Sequence, residues 1–346
     1  MNDSEALPWL APTWQQLSHR WEQLPHGLLI TGPPAVGKSA LALDLARLLL
    51  CHQPEQKGGC RQCAACQLFD SSIHPDFHVL APETLSAPDS SSLYKHAQRY
   101  WTSKKSSAAR KPSQVIGVDA IRTLAETLTS TATQNGRKLS VIANAEDLNH
   151  NAGNALLKLL EEPTPDTHLV LVSAQPYLLP ATIRSRCIRL DCTAPTTQQT
   201  LDWLCTRHNI DLDFHNGMTK SGLGPLELER VITEGRMQAL TGLVSPSDAA
   251  SNALASPQKF LSTCAELGLK RALTVVQNLA LMELRWHAQK GALQSAPATR
   301  FRFANRDMAM KTFYDIGRIL RHPAGTVDEQ LFLEDIFADL QGQQIL

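Results

Sequence analysis

The stretch Leu28-Leu29-Ile30-Thr31-Gly32-Pro33-Pro34-Ala35-Val36-Gly37-Lys38-Ser39 decides the architecture. A short apolar run leads straight into G-x-x-x-x-G-K-S, and Leu41, Leu45, Leu48 and Leu49 follow at helical spacing. Strand, glycine loop and helix, in that order, let backbone N–H groups curl around phosphate oxygens while the helix start adds positive potential. Gly32 and Gly37 frame the loop. Lys38 is placed to reach β and γ phosphates, and Ser39 to ligate magnesium. The plainer alternative, a glycine-rich turn without a ligand, makes no use of the Lys-Ser pair.

Outward from this loop the pattern repeats. Asp76 to Leu80, Leu139 to Ala143 and Leu169 to Val172 read as further strands. The last is a nearly continuous apolar run, as expected in a parallel sheet covered on both faces. Between them, Val118, Ile121, Leu124, Ala125 and Leu128 form a helical stripe, and Asn154 to Leu160 is a helix stopped by Pro163. Alternating strands and helices predict a doubly wound α/β domain. Beyond Asp191 the strand signals fade. Thr197 to His208 reads as a helix, Gly222-Leu223-Gly224-Pro225 as a bend, and most of the chain from Pro257 onward as helices, with Gly291 to Arg300 a loop.

Binding is separable from hydrolysis. An ATPase of this type needs an acid at the end of a neighbouring strand to hold the metal's shell, usually with a Glu that activates water. Here that strand ends Ala143-Asn144, and Glu146 and Asp147 come two and three residues later. Catalysis is sensitive to ångström-scale displacement, so the loop reads as a poor or absent hydrolase.

Cys51, Cys60, Cys63 and Cys66 crowd into sixteen positions, with turn-forming or small residues between them. Their spacing suits a tetrahedral zinc site, and four sulfur ligands leave no open position for water, so the metal is expected to be structural. Four free thiols on a surface knuckle is the alternative. The other four cysteines are scattered and read as small buried apolar residues.

Composition bounds the rest. The 346 residues suffice for two or three domains, and 43% hydrophobic with 19% charged residues is an ordinary globular balance. Formal net charge is zero, so there is no global footprint for nucleic acid. No apolar run approaches the roughly 18 to 20 residues that span a bilayer. The start, Met1 to Glu5, lacks signal-peptide character. A cytoplasmic protein without membrane contact is expected. The polar stretch from Leu85 to Ser113 carries Tyr94, Tyr100 and Trp101 amid Lys95, Arg99, Lys104 and Lys105. These can stack on and neutralise nucleic acid; a short amphipathic helix packed on the domain beside a solvated loop is the favoured alternative.

Several segments together resemble the AAA+ clamp-loader subunits of bacterial DNA polymerase III. They are the cysteine cluster just after the phosphate-loop helix, His74-Pro75-Asp76, Ile116 to Arg122, Asn154 to Pro163, and Ser185-Arg186-Cys187. Within that family the delta-prime type fits better than the motor type. Motor subunits carry Asp-Glu where this chain has Ala143-Asn144, and a lid Arg that the segment from Ser221 to Pro225 lacks. They also often bear a long tail, where this sequence stops at Leu346. The intact phosphate loop departs from delta prime, where it is often degraded.

The resemblance implies an α/β P-loop AAA+ domain over residues 1–192, a parallel sheet with helices on both faces. It would hold a zinc module at 51–66 and a polar insertion at 85–113. An all-α lid at 193–235 and an all-α collar at 236–346 would follow. Arg186 would serve as an arginine finger in trans, reaching the γ-phosphate of ATP on a neighbouring motor subunit; its planar fork and permanent charge suit that task. The partners implied are the motor and delta subunits and, through the hetero-oligomeric complex, the sliding clamp and primed DNA. Whether Gly32, Gly37, Lys38 and Ser39 hold ATP or ADP, with or without magnesium, stays open. Two rival readings are a self-sufficient loader ATPase using Lys38, Ser39 and Glu146 or Asp147, and a stand-alone zinc-containing nucleic-acid binder using Tyr94 to Lys111.

Overall fold

The computed structural model describes residues 6–55, 58–85, 92–101, 112–130, 132–134, 136–208, 218, 220–244, 253–289, 303, 305–320 and 328–341. Two compact units, Met1–Ala194 and Pro195–Leu346, divide the chain.

The first unit is built on five parallel strands, β1 (Gly27–Thr31), β2 (Phe77–Leu80), β3 (Lys138–Ala143), β4 (Thr167–Ser173) and β5 (Ile188–Asp191), in the order β2-β3-β4-β1-β5. Every residue of β1, β2 and β3 is buried, and most of them are apolar, with Thr31, His78, Lys138 and Ser140 the buried polar exceptions. Successive side chains point to opposite faces. On one face Leu29, Leu80, Ile142, Leu169 and Leu171 form a core with Ile121, Leu124 and Leu128 of one helix and Leu156 and Leu160 of another. In chain order the helices of this unit are α1 (Ala11–His19), α2 (Lys38–Leu50), α3 (Ala64–Asp70), α4 (Ser92–Lys95), α5 (Gln98–Trp101), α6 (Val118–Thr129), α7 (His150–Glu161) and α8 (Ala181–Arg184). The core just described therefore belongs to α6 and α7. The phosphate-loop helix α2 lies against β1, β3 and β4 and buries Leu41, Leu45, Leu48 and Leu49.

The sequence predicts four strands, and the described residues form five. β5 is the missed one. It lies at the sheet edge with Ile188 60% exposed; Ile188-Arg189-Leu190-Asp191 does alternate apolar and polar, but over only four residues, too short a run to stand out as a strand. α7 also starts earlier than the apolar pattern shows. Asn149 caps it, its side-chain oxygen accepting from the Ala152 N–H at 2.8 Å.

The described part of the second unit is helical: α9 (Thr197–His208), α10 (Pro225–Thr233), α11 (Met237–Val244), α12 (Pro257–Leu267), α13 (Leu269–Gln289), α14 (Arg306–Ile319) and α15 (Glu329–Gln341). Ser256 and Asn305 cap α12 and α14, and Phe260 meets Phe337 with ring centroids 5.6 Å apart. Arg271 donates to Glu227 at 2.7 Å and to both oxygens of Glu234 at 2.6 and 3.0 Å, joining α13 to α10 and the residue that caps it. The expected loop from Gly291 to Arg300 lies outside the described residues, as do Met1 to Glu5. No helix among the described residues is long and apolar enough to cross a membrane.

Candidate functional site

The phosphate loop leaves the carboxyl end of β1, the second strand from the sheet edge, and enters α2 at Lys38. Two glycines are required there. Gly32 has φ 152° and passes so close to the chain after β5 that a Cβ would lie 2.5 Å from the Cys192 carbonyl oxygen. Gly37 caps α2 in the left-handed region, φ 99°, where a Cβ would sit 2.3 Å from Leu7 Cδ1. The loop is covered from the N-terminal side: Leu7, Trp9 and Leu10 are buried, and Trp9 Nε1 donates to the Val36 carbonyl at 2.8 Å. Motif reading did not anticipate this cover, because the contact spans 27 residues and carries no spacing of its own.

Lys38 is 7% exposed and folds back on its own loop, donating to the carbonyls of Gly32 at 2.8 Å and Pro33 at 2.6 Å. Burial holds its ammonium below the ordinary lysine value, while the Glu146 carboxylate pulls the other way. Ser39 follows in the first turn of α2.

At the end of β3, Asn144 adopts a left-handed conformation, φ 50°, and Ala145–Asp147 forms a 3₁₀ turn. Glu146 is thereby turned toward the end of β4, where one carboxylate oxygen accepts from the Ala174 N–H at 3.0 Å; the other is buried with no hydrogen-bond partner among the described residues. The acidic residues stay in the turn, and the strand end itself offers Ala143 and Asn144.

The four clustered cysteines converge. Cys51 follows α2, Cys63 caps α3, Cys66 lies within α3, and their sulfurs, with that of Cys60, all lie within 4.8 Å of one another. Cys51 and Cys63 sulfurs are 3.8 Å apart. That is the edge of a tetrahedron with metal–sulfur bonds of about 2.3 Å, so the thiols fit one divalent ion. Backbone N–H groups of Gln53 and Cys60 point at Cys51 Sγ at 3.3 and 3.2 Å, and Cys63 N–H at Cys60 Sγ at 3.4 Å, as a thiolate cluster requires. Burial raises the thiols of Cys51 and Cys66. It opposes ionisation at Cys63 too, but hydrogen bonds from Cys66 and His52 outweigh it and bring that thiol to about 6. Cys187, Cys192 and Cys264 are buried, as small apolar residues would be, while Cys205 is partly exposed.

Arg186 sits at the other end of the sheet. The backbone after α8 passes the start of β1, where a Cβ on Gly27 would lie 3.0 Å from the Arg186 carbonyl oxygen, 3.1 Å from Leu160 Cδ2 and 3.4 Å from Cys187 Sγ. Arg186 Nη2 pairs with Glu161 at 2.6 Å, Nη1 donates to the Thr182 carbonyl at 3.0 Å, and the side chain remains 37% exposed. Gly27 and the loop lie at opposite ends of β1, four residue steps or about 13 Å apart. The guanidinium is therefore out of reach of the phosphate loop of its own chain. Arg189, the neighbouring cation, is committed to Asp191 at 2.8 Å and to the Thr31 hydroxyl at 3.3 Å.

The aromatic residues of the polar insertion are occupied as well. Tyr100 Oη bonds His78 Nδ1 at 2.9 Å, Trp101 Nε1 donates to the Ala81 carbonyl at 2.9 Å, and Arg99 donates to the His74 carbonyl at 3.1 Å. These rings pack on the domain rather than forming a free stacking platform. Lys104 and Lys105 lie outside the described residues.

The family described as DNA polymerase III, delta subunit, matches residues 11–196, which contain all five strands, the phosphate loop, the cysteine cluster and Arg186. The chain belongs to the DNA polymerase III delta-subunit family. Among relatives of this family, the DNA polymerase III subunit delta' of Pseudomonas aeruginosa is 40% identical over 246 residues, 69% of this chain and 66% of that one. The protein of the same name from Escherichia coli is 36% identical over 209 residues, 60% of this chain and 54% of the relative. The chain thus matches about half to two thirds of the length of these curated relatives. A solved DNA polymerase III gamma subunit-related protein from Thermotoga maritima aligns with a TM-score of 0.48 and 16% identity, over 96% of this chain and 99% of that one. In this member of the delta family the loop and Arg186 lie at opposite ends of β1, and the thiol cluster lies apart from both, between α2 and α3.

Proposed function

We propose that this family member is a delta-prime-type stator of the DNA polymerase III clamp loader. In this role it lends Arg186 to the ATP site of a neighbouring motor subunit during loading of the sliding clamp onto primed DNA. The carrying observation is the separation along β1: a half-exposed guanidinium held by Glu161 and Thr182, at the end of the sheet away from its own phosphate loop. Such a group can serve only a nucleotide bound by another chain. The delta' names of the relatives support the same assignment.

Cys51, Cys60, Cys63 and Cys66 hold a structural zinc in this reading, closing the end of α2 against the start of α3. Four thiolates complete the coordination and leave no position for water. Gly32, Gly37, Lys38 and Ser39 bind nucleotide once a phosphate draws Lys38 from the carbonyls of Gly32 and Pro33. With Ala143 and Asn144 at the strand end and Glu146 displaced into the turn, turnover at this loop is not expected. Residues 193–235 act as the lid, and residues 236–346 as the collar that joins the motor and delta subunits, in the cytoplasm.

Reconstitution with motor and delta subunits tests the assignment. Arg186→Ala is expected to leave the complex assembled and to lower its DNA-stimulated ATP hydrolysis strongly, arginine fingers contributing on the order of 10³ to 10⁵ in rate in other systems. A rate unchanged by that substitution refutes the finger.

A further inference from the structure

Glu161 ends α7 within the run Asn154 to Pro163, to which the proposed function gives no part beyond the contact of Glu161 with Arg186. Its carboxylate lies 2.6 Å from Arg186 Nη2, and the Thr182 carbonyl takes Nη1 at 3.0 Å. A guanidinium has five N–H donors in a fixed plane, so these two contacts set the plane and leave the remaining donors to the exposed side. We propose that Glu161 is a positioning residue for the arginine finger: it orients the Arg186 fork toward the phosphate of the neighbouring chain. This rests on Arg186 serving a nucleotide in trans.

The surroundings hold Glu161 in place. The His26 ring sits between the last turn of α7 and the start of β4, Nδ1 2.8 Å from the Thr167 carbonyl and Nε2 3.0 Å from the Leu159 carbonyl. Gly27, next in sequence, has no side chain to keep Leu160 and the Arg186 backbone apart. The end of α7 and the finger segment are thus brought together by two consecutive residues at the entrance to β1. An ion pair assembled this way on a helix end and a strand start needs little further ordering when a phosphate arrives, and preorganisation is what makes a fixed charge effective in catalysis.

The test is a double-mutant cycle in the reconstituted loader, with ATP hydrolysis as the readout and thermal unfolding of each variant as the control for folding. Glu161→Ala is expected to lower the turnover number by roughly two- to fivefold, the scale of a partly exposed ion pair. Glu161→Lys, which sets two cations side by side, is expected to lower it further. On an Arg186→Ala background neither change is expected to have any additional effect, because the group they position is gone. Equal losses from Glu161→Ala with and without Arg186 would mean that Glu161 acts on the fold alone, and would overturn the proposal. So would wild-type turnover in both Glu161 variants while Arg186→Ala is slow. If Arg186→Ala itself is fast, the finger assignment falls, and the positioning role falls with it.

Discussion

Gly27→Ala tests how closely the segment carrying Arg186, the proposed finger, is fitted. The added Cβ would stand 3.0 Å from the Arg186 carbonyl oxygen and 3.1 Å from Leu160 Cδ2, where ordinary contacts begin near 3.4 Å. Gly27 does not have positive φ, so alanine adds no backbone strain; the cost is steric. Leu160 can turn a methyl aside, but the carbonyl belongs to the backbone and must move by a few tenths of an ångström, taking Arg186 with it. Overpacking of this kind costs about 1 to 3 kcal/mol, offset by about 0.4 to 1 kcal/mol from the stiffer unfolded chain. The balance is a loss of up to roughly 2.5 kcal/mol, or a fall in Tm of several degrees for a unit of this size. Displacement of a reacting group by about 1 Å can cost a hundredfold in rate, so a shift of a few tenths predicts a several-fold loss of ATP hydrolysis in the reconstituted loader. Calorimetry of the isolated chain and steady-state hydrolysis by the complex measure the two effects. A variant that melts higher than wild type and hydrolyses ATP normally refutes the close-fit argument.

Two further outcomes are expected. Metal analysis of protein purified without chelator should find about one zinc per chain, and Cys63→Ser or chelation should remove it and lower Tm, since binding energy at such a site is folding energy. Acid should destabilise the first unit well above the carboxylate range. Burial pushes His78 and His96 from 6.5 down to about 4, so the unfolded chain binds protons that the native fold refuses. The stability they contribute is complete above about pH 6.5 and is lost as pH falls toward 4, roughly 2 to 3 kcal/mol for each ring. His96→Phe, placed beside Phe69 and Phe77 at ring distances of 5.0 and 4.8 Å, should flatten part of that slope in denaturant titrations at pH 4.5 to 7.

What the sequence revealed and what it concealed divide along a physical line. The loop from Gly32 to Ser39 and the cysteines were legible because backbone curvature and tetrahedral coordination each fix residue type at fixed spacing. β1, β3 and β4 were legible because both faces of a central parallel strand are buried. β5 was not, since an exposed edge strand is held by backbone hydrogen bonds to β1 and asks little of its side chains. Tyr100 and Trp101 carry the composition of a stacking surface, yet their polar tips find His78 and Ala81, and composition cannot tell those uses apart. The pairing of Glu161 with Arg186 and the cover of Leu7 and Leu10 over Gly37 join residues distant in sequence, and no local pattern records them.

The placement of Arg186 and the phosphate loop at opposite ends of β1 gives the chain a head and a tail. Contacts built on such ends are heterologous, each chain offering to its neighbour a surface unlike the one it receives on; rows of this kind close into rings or run on as open filaments, unless a member that cannot continue the pattern ends them. If Arg186 serves a neighbour as proposed, a chain with that arginine at one end and, at the other, a loop whose strand end carries Ala143 and Asn144 in place of acids would be such a last member, with the row of firing sites starting beside it.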